Sequence, residues 1–306
     1  VAGVRVGHAT LIVGDGPLSP GRGPVRTGVT VILPHSDDAF RQKVRAAVHT
    51  INGYGKVCGF EQVRELGLIE APIALTNTLN VGLVADALVR HGIRRHPTIG
   101  IDTGGVNVVV GETNDSHLND IQGRHVRAEH VWAAIESASP GPVREGAVGA
   151  GTGTSCFGWK GGIGTASRVL PAEAGGFTLG ALVQTNFGRP EHLTVLGVPV
   201  GRYVFPPDDA DAACADGGSV MIVLATDAPM TARQLQRLCK RAAAGLARTG
   251  SVFDHGSGDF VIAFSTASRV AHEPKALVED RPVLVGEAEV MRHAFPAVVE
   301  AVEEAV

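Results

Sequence analysis

The sequence predicts an α/β protein: one domain of layered β-sheets with helices on the outside. Three observations carry this. Strand and helix signals alternate along the 306 residues. Hydrophobic residues make up 44% of the chain and charged residues 19%, enough apolar material for a well-packed core and too little charge for disorder. No internal repeat is present, and the segment after the acidic stretch near residue 210 is too small to stand comfortably as its own domain. The expected organisation is a single domain over 1–306.

The elements follow in order. Gly28–Pro34 (GVTVILP) and Lys43–Gly53 (KVRAAVHTING) read as strands. GFEQVRELGLI reads as a short helix and Ala71–Thr78 (APIALTNT) as a strand. Asn80–Ile93 has apolar residues at helical spacing and a glycine near its end. VNVVVGETND is a strand running into a loop. AEHVWAAIESA is a helix ending before the Pro140–Gly141–Pro142 break. A glycine-rich strand region comes next, then FTLGALVQTNFG and LTVLGVPVG as further strands. Phe205–Gly218 (FPPDDADAACADGG) is acidic, Pro-led and without periodicity, and is expected to be an exposed, mobile connector. Ser219–Ala225 is a β-branched and apolar strand. Thr231 with Gln234 fits a capping box, and Leu235, Leu238, Cys239, Ala242 and Leu246 form one helical stripe. DFVIAFST is the next strand, and a helix starts at Glu287.

Composition excludes several functions. Net charge is -4 and no basic patch stands out, so nucleic acid is not an expected partner. No apolar run approaches the roughly 18 residues of a membrane span, so no membrane partner is expected either. Cys58, Cys156, Cys214 and Cys239 form no CxxC pair, and none of the 12 histidines shows HExxH or HxH spacing. No metal, cofactor or disulfide framework is therefore expected, and reduced thiols in the cytoplasm fit better. No leader is visible at the start. His255, two residues before Ser257, invites a triad reading, but a solvated loop histidine is the plainer one. The glycine-rich stretch misses a phosphate loop, because Lys160 in GTSCFGWKGG is followed by Gly. Its glycines are expected to serve close strand packing.

The chemistry centres on Gly218–Ser219. A serine hydroxyl can attack the carbonyl of the residue before it, and glycine there removes the Cβ clash. Hydrolysis of the resulting ester leaves an N-terminal serine with both a hydroxyl and an amine. That amine, with an ordinary pKa of about 7.7–8.0, suits a general base at neutral pH. The same residues also fit a plain turn.

RVGHATL, GVTVILPH, INGYGKVCGFEQVRELGLIEAPIALTNTLNVG, GAGTGTSCFGWKGGIGTASR, LVQTNFG, GGSVMIVLATDAPM and GSGDFVIAFST, in that order, resemble the DmpA family. These are L-aminopeptidase/D-Ala-esterase/amidases, with which the β-peptidyl aminopeptidases belong. The resemblance runs from about Val4 to the C-terminal helix. It implies a four-layer α-β-β-α sandwich and a precursor that cleaves itself into 1–218 and 219–306. It also implies oligomers, commonly tetramers of the cleaved pair. By position, cleavage falls between Gly218 and Ser219, and Ser219 becomes the nucleophile. Ser257 and Asp259 match the serine and acid beside it; some members carry Glu where this chain has Asp259. Asn186 matches the oxyanion amide. Glu112 matches the carboxylate that would hold a substrate's free amine, a counter-charge that a buried ammonium needs. Members usually carry an aromatic residue where this chain has Asn114, whose shorter amide is a departure near the oxyanion.

The function implied is a self-processing serine aminopeptidase acting on short peptides, amides or esters with a free N-terminal amine. Small L- or D-amino acids and β-amino acids are all open. Two alternatives stand beside it: an acyltransferase of the ornithine acetyltransferase type, which uses threonine as nucleophile, and a non-catalytic binding protein on the same fold.

Overall fold

The computed structural model describes residues 1–206 and 218–306. Most of the expected connector falls on residues 207–217 and lies outside the described residues.

Two sheets face each other. The first has the order β1-β2-β5-β6, from β1 (Arg5–Val13), β2 (Val25–Leu33), β5 (Ile73–Asn77) and β6 (Val109–Thr113). The second runs β4-β3-β12-β11-β10-β9. Its strands are β3 (Gln42–Gly53), β4 (Leu68–Ile69), β9 (Ile163–Val169), β10 (Thr178–Asn186), β11 (Ser219–Thr226) and β12 (Gly258–Ala271). A small ribbon pairs β7 (Ser155–Cys156) with β8 (Trp159–Lys160). Each sheet holds one parallel pair, β5/β6 and β11/β12, and each pair is joined through a helix, as a parallel connection requires. These helices are α2 (Val81–Arg95) and α4 (Ala232–Arg248).

Three apolar cores fill the three spaces between four layers. One joins β2 and β5 to α2 and to α3 (Ala128–Glu136), through Val29, Val31, Val84, Leu88 and Val131. The second lies between the sheets, with Ile32, Leu75, Met221, Ile262 and Phe264. It also takes in Phe60 and Val63 of the short α1 (Phe60–Leu66). The third joins the larger sheet to α4 and to α5 (Glu287–Ala305), through Ile222, Leu235, Leu238, Val298 and Val302. This is the expected α-β-β-α sandwich. Burying a Leu- or Val-sized side chain contributes about 1.5–3 kcal/mol, so the stripe of α4 alone secures that layer. The Thr231–Gln234 capping box is formed: the Gln234 carbonyl oxygen accepts from the Thr231 N–H at 2.9 Å, and Thr231 Oγ1 accepts from the Gln234 N–H.

The structure corrects two sequence readings. LTVLGVPVG is not a strand. Val195 and Val198 bridge across a tight turn in which Leu196 and Gly197 have φ of 49° and 81°, and Val200–Arg202 is a 3-10 turn. Two successive left-handed residues reverse the chain, and Pro199 has no N–H to extend a ladder. The glycine-rich stretch is mostly turn, with a 3-10 segment at Gly149–Gly151, the β7/β8 ribbon and then β9. β1, absent from the strand assignments, pairs with β2 along its whole length.

Candidate active site

Strand period two places the site. In β11, Val220, Ile222 and Leu224 face the helices, while Met221 and Val223 face the opposite sheet. Ser219, the first residue of β11, therefore points into the gap between the sheets. The sheets come close there: a Cβ on Gly111 of β6 would collide with the Met221 side chain. In register, Ser219 sits between Asn186 of β10 and Gly258 of β12. Ser219 is buried, with 3% of its surface exposed.

Two donors meet its hydroxyl oxygen. The Asn114 main-chain N–H donates to Ser219 Oγ at 3.0 Å, and Asn186 Nδ2 at 3.4 Å. The Asn186 amide is held at both ends: Oδ1 accepts from the Ser155 N–H at 3.2 Å, and Nδ2 also donates to the Asn114 carbonyl at 2.7 Å. Lys160 secures the turn carrying Ser155, donating to the carbonyls of Gly151, Thr154 and Gly161 at 3.0, 2.9 and 2.7 Å. The glycines here serve close packing, as expected; a Cβ on Gly161 would meet the Ser155 carbonyl carbon at 2.9 Å.

Gly218 has no room for a side chain. A Cβ there would lie 2.8 Å from Phe187 Cβ and 2.9 Å from its Cα. Its carbonyl oxygen accepts from the Gly258 N–H at 3.1 Å.

Where the chain enters β12, Ser257 Oγ donates to Asp259 Oδ1 at 2.6 Å, with both residues buried. Asp259 Oδ2 is buried with no hydrogen-bond partner among the described residues. Burial pushes the Asp259 carboxyl up to about 6; the Ser257 hydroxyl opposes this and Asp254 reinforces it. The loop before Ser257 is clipped by Asn52 Nδ2, which donates to the carbonyls of Asp254, His255 and Ser257 at 3.0, 3.2 and 2.5 Å.

Glu112 is the last residue but one of β6 and is 2% exposed. Its Oε1 accepts from the Lys56 N–H at 2.8 Å, and its Oε2 from the Thr78 hydroxyl. Burial raises its pKa, against the Thr78 and Lys56 contacts that lower it. A single glycine separates it from β12: a Cβ on Gly55 would meet Glu112 Oε1 at 3.0 Å and Gly258 Cα at 3.1 Å.

Ser219, Asn186, Asn114 and Gly218 thus meet directly, with Ser257 and Asp259 at the adjoining start of β12 and Glu112 on β6 facing it across Gly55. Asn114 differs from its reading as a side-chain donor: its Oδ1 turns back to accept from the Ser116 N–H at 3.0 Å, and the main chain faces Ser219. His255 is exposed beside the Tyr54 ring, 5.9 Å between centroids. The sequence reading missed Asn52, Ser155, Lys160 and the Gly258 N–H. All four act through or upon main-chain atoms, which residue type does not reveal. No group of acidic, His and Cys side chains fit to hold a metal occurs among the described residues, and no helix there is long and apolar enough to cross a membrane.

The whole chain, residues 1–306, matches Peptidase family S58. It is 45% identical over 280 residues to the β-peptidyl aminopeptidase BapA of Sphingosinicella microcystinivorans, covering 88% of this chain and 69% of that protein. The crystal structure of the PH0078 protein from Pyrococcus horikoshii OT3 superposes with a TM-score of 0.92 at 50% identity, over 100% of this chain and 83% of that one. The L-aminopeptidase D-Ala-esterase/amidase of Ochrobactrum anthropi, described as a prototype for the serine aminopeptidases and a variant of the Ntn hydrolase fold, matches with a TM-score of 0.89 at 39% identity. It too is matched over 100% of this chain and 83% of its own. The chain belongs to peptidase family S58, as a serine aminopeptidase of this Ntn hydrolase variant.

Proposed function

We propose that the chain cleaves itself between Gly218 and Ser219 and then uses Ser219 as an N-terminal nucleophile against short peptides, amides or esters with a free amine. The observation that carries this is the Ser219 hydroxyl at the head of β11, met by the Asn114 N–H and Asn186 Nδ2. In self-cleavage, Ser219 Oγ attacks the Gly218 carbonyl carbon and the peptide C–N bond breaks. The Ser219 nitrogen takes up the proton, and water hydrolyses the ester. The Gly258 N–H, already on the Gly218 oxygen, stabilises the developing charge.

In turnover, Oγ attacks the substrate carbonyl and its proton passes to the freed α-amine, then to the leaving amine. Water resolves the acyl-enzyme and frees Ser219. The Asn114 N–H and Asn186 Nδ2 are the donors in our assignment for the tetrahedral oxyanion. Asp259 Oδ2, buried and unpartnered, is the acceptor we assign to the new α-ammonium, with Ser257 holding the carboxylate. Glu112 takes the substrate's ammonium. The relatives' names put β-amino acid peptides and D-alanyl esters or amides among the substrates to try.

We further infer assembly into oligomers, as tetramers of the cleaved pair. Leu196, Tyr203 and Phe205 support this, standing 85%, 74% and 69% exposed on one stretch of surface chain. The test of the central reading is Ser219→Ala. That chain should stay whole and inactive, while wild type separates under denaturing conditions into pieces of roughly 23 and 9 kDa by chain length. Wild-type hydrolysis of an aminoacyl p-nitroanilide by Ser219→Ala would sink it.

A further inference from the structure

The turn that brings the Asn114 N–H to Ser219 is anchored by a carboxylate with no countercharge. Asp115 is 1% exposed. Its Oδ2 accepts from the Thr27 hydroxyl at 2.6 Å and its Oδ1 from Asn119 Nδ2 at 3.0 Å. Thr27 Oγ1 in turn accepts from Asn77 Nδ2 at 2.8 Å, and Asn77 Oδ1 accepts from the Asn80 N–H at 3.2 Å and from Asn80 Nδ2 at 3.0 Å. On the other arm, Asn119 Oδ1 accepts from the Arg26 N–H at 3.0 Å. The Asp115 carbonyl closes the turn by accepting from the N–H groups of Leu118 and Asn119. Thr27, Asn77, Asn80 and Asn119 are all buried.

Every bond in this chain points toward Asp115. An amide or hydroxyl can donate or accept, so a chain of them has no fixed direction of its own. An ionised carboxylate only accepts. At the end of the chain it forces Thr27 and Asn119 to donate, and so fixes how β2, β5 and the 114–120 turn are joined. No lysine, arginine or histidine bonds to this carboxylate among the described residues. A buried charge without a partner of opposite sign is costly, and a neutral residue of the same shape would be the cheaper structural choice. Burial accordingly raises the Asp115 carboxyl to about 6, against its hydrogen bonds.

The residue before Asn114 is held separately. Gln184 Nε2 donates to Thr113 Oγ1 at 2.7 Å and to the carbonyls of Thr76 and Ala150, each at 3.1 Å. Asn114 is thus fastened on both sides, by the opposite sheet at Thr113 and by the carboxylate at Asp115.

We propose that Asp115 is a positioning residue for the reaction: its buried carboxylate holds the 114–119 turn so that the Asn114 N–H lies on the reacting oxygen. This rests on Ser219 being the nucleophile. A main-chain donor cannot be adjusted by rotating a side chain, so its aim depends on how the backbone is anchored. Displacement by about 1 Å can cost about a hundredfold in rate.

The test uses Asp115→Asn and Thr27→Val, each compared with wild type and with Ser219→Ala. Asp115→Asn keeps the shape but sets an amide N–H against the Asn119 donor; Thr27→Val removes one donor to the carboxylate. For Asp115→Asn we expect kcat lower by about 10- to 100-fold with KM within about threefold. Sulfonylation of Ser219 by a sulfonyl fluoride should slow in the same proportion, with Tm unchanged or higher. Thr27→Val should show the same pattern more weakly. A folded but uncut Asp115→Asn chain supports the proposal too, since cleavage uses the same hydroxyl. If Asp115→Asn does not fold, Thr27→Val decides alone. Overturning results are kcat within twofold of wild type in the folded variants, or a loss of activity that follows Tm. Full activity in Ser219→Ala would instead overturn the nucleophile assignment, a separate failure.

Discussion

Asn114 meets Ser219 with its main chain: the N–H lies 3.0 Å from Oγ, while the side-chain carbonyl oxygen accepts from the Ser116 N–H at the same distance. A residue's type therefore matters little here, and its peptide N–H matters a great deal. Asn114→Ala loses one hydrogen bond in an exposed turn, about 0.5–1.5 kcal/mol at most. Activity should stay within about tenfold of wild type. Asn114→Pro deletes the donor itself, and kcat should fall by about 10² to 10³. Equal losses in the two variants, measured as kcat on one aminoacyl p-nitroanilide, would show that the side chain carries the effect.

Asn186 separates the two reactions assigned to Ser219. Its Nδ2 stands by the nucleophile, whereas the Gly218 carbonyl is held from the other side by the Gly258 N–H. Asn186→Ala should lower kcat by about 10² to 10³ through loss of an oxyanion donor. Self-cleavage, whose oxyanion we assign to the Gly258 N–H, should still go to completion. Denaturing mass spectrometry reads this directly; an uncut Asn186→Ala chain would mean that one oxyanion site serves both steps.

Gly218→Ala tests the other side of the bond. The added methyl would lie 2.8 Å from Phe187 Cβ. Phe187 cannot easily yield, being buried with its ring 5.4 Å from that of Phe157. The carbonyl must then shift from the Gly258 N–H and from Ser219 Oγ. We expect the variant to accumulate as the whole chain, with cleavage slowed by at least about tenfold. Cleavage at the wild-type rate would show that the glycine is only a convenient turn residue.

Most of the sandwich was legible because its elements carry strong periodic signals. β2 and β11 read as short runs dominated by apolar and β-branched residues because both their faces are buried, and α4 repeats at helical spacing because it buries one stripe. The Leu193–Gly201 stretch misled because Val and Thr are strand formers, while two left-handed residues, Leu196 at φ 49° and Gly197 at φ 81°, decide the path. β1 was obscured by its exposed edge, where Ile12 and Val13 are 59% and 62% exposed. At the site, Ser219, Asn186, Ser257, Asp259 and Glu112 were legible through motif resemblance, because side chains are what motifs record. The Asn114 and Gly258 N–H groups were not, because every residue but proline has one. Asp115 lay in plain view within GETND, yet the positioning role proposed for it depends on Thr27 and Asn119, which only the fold brings to it.

The Asp259 carboxyl is raised from an ordinary 3.8 to about 6, chiefly by burial. In the uncut fold it holds its proton more tightly than in the unfolded chain. Its contribution to stability is therefore fully present below about pH 4 and is lost as pH rises through about 6. Asparagine cannot ionise, so Asp259→Asn in a Ser219→Ala background should stabilise the protein above pH 6 and not below pH 4. At 1.36 kcal/mol per pKa unit the gain reaches at most about 3 kcal/mol. Asp115 is raised in the same direction and bends the stability curve of both chains alike, so the difference between them isolates Asp259. Urea unfolding at pH 4, 6 and 8 measures it. A difference that does not change with pH would mean that the carboxyl titrates normally, and that its unpartnered oxygen is not an unmet demand awaiting the amine freed at Ser219.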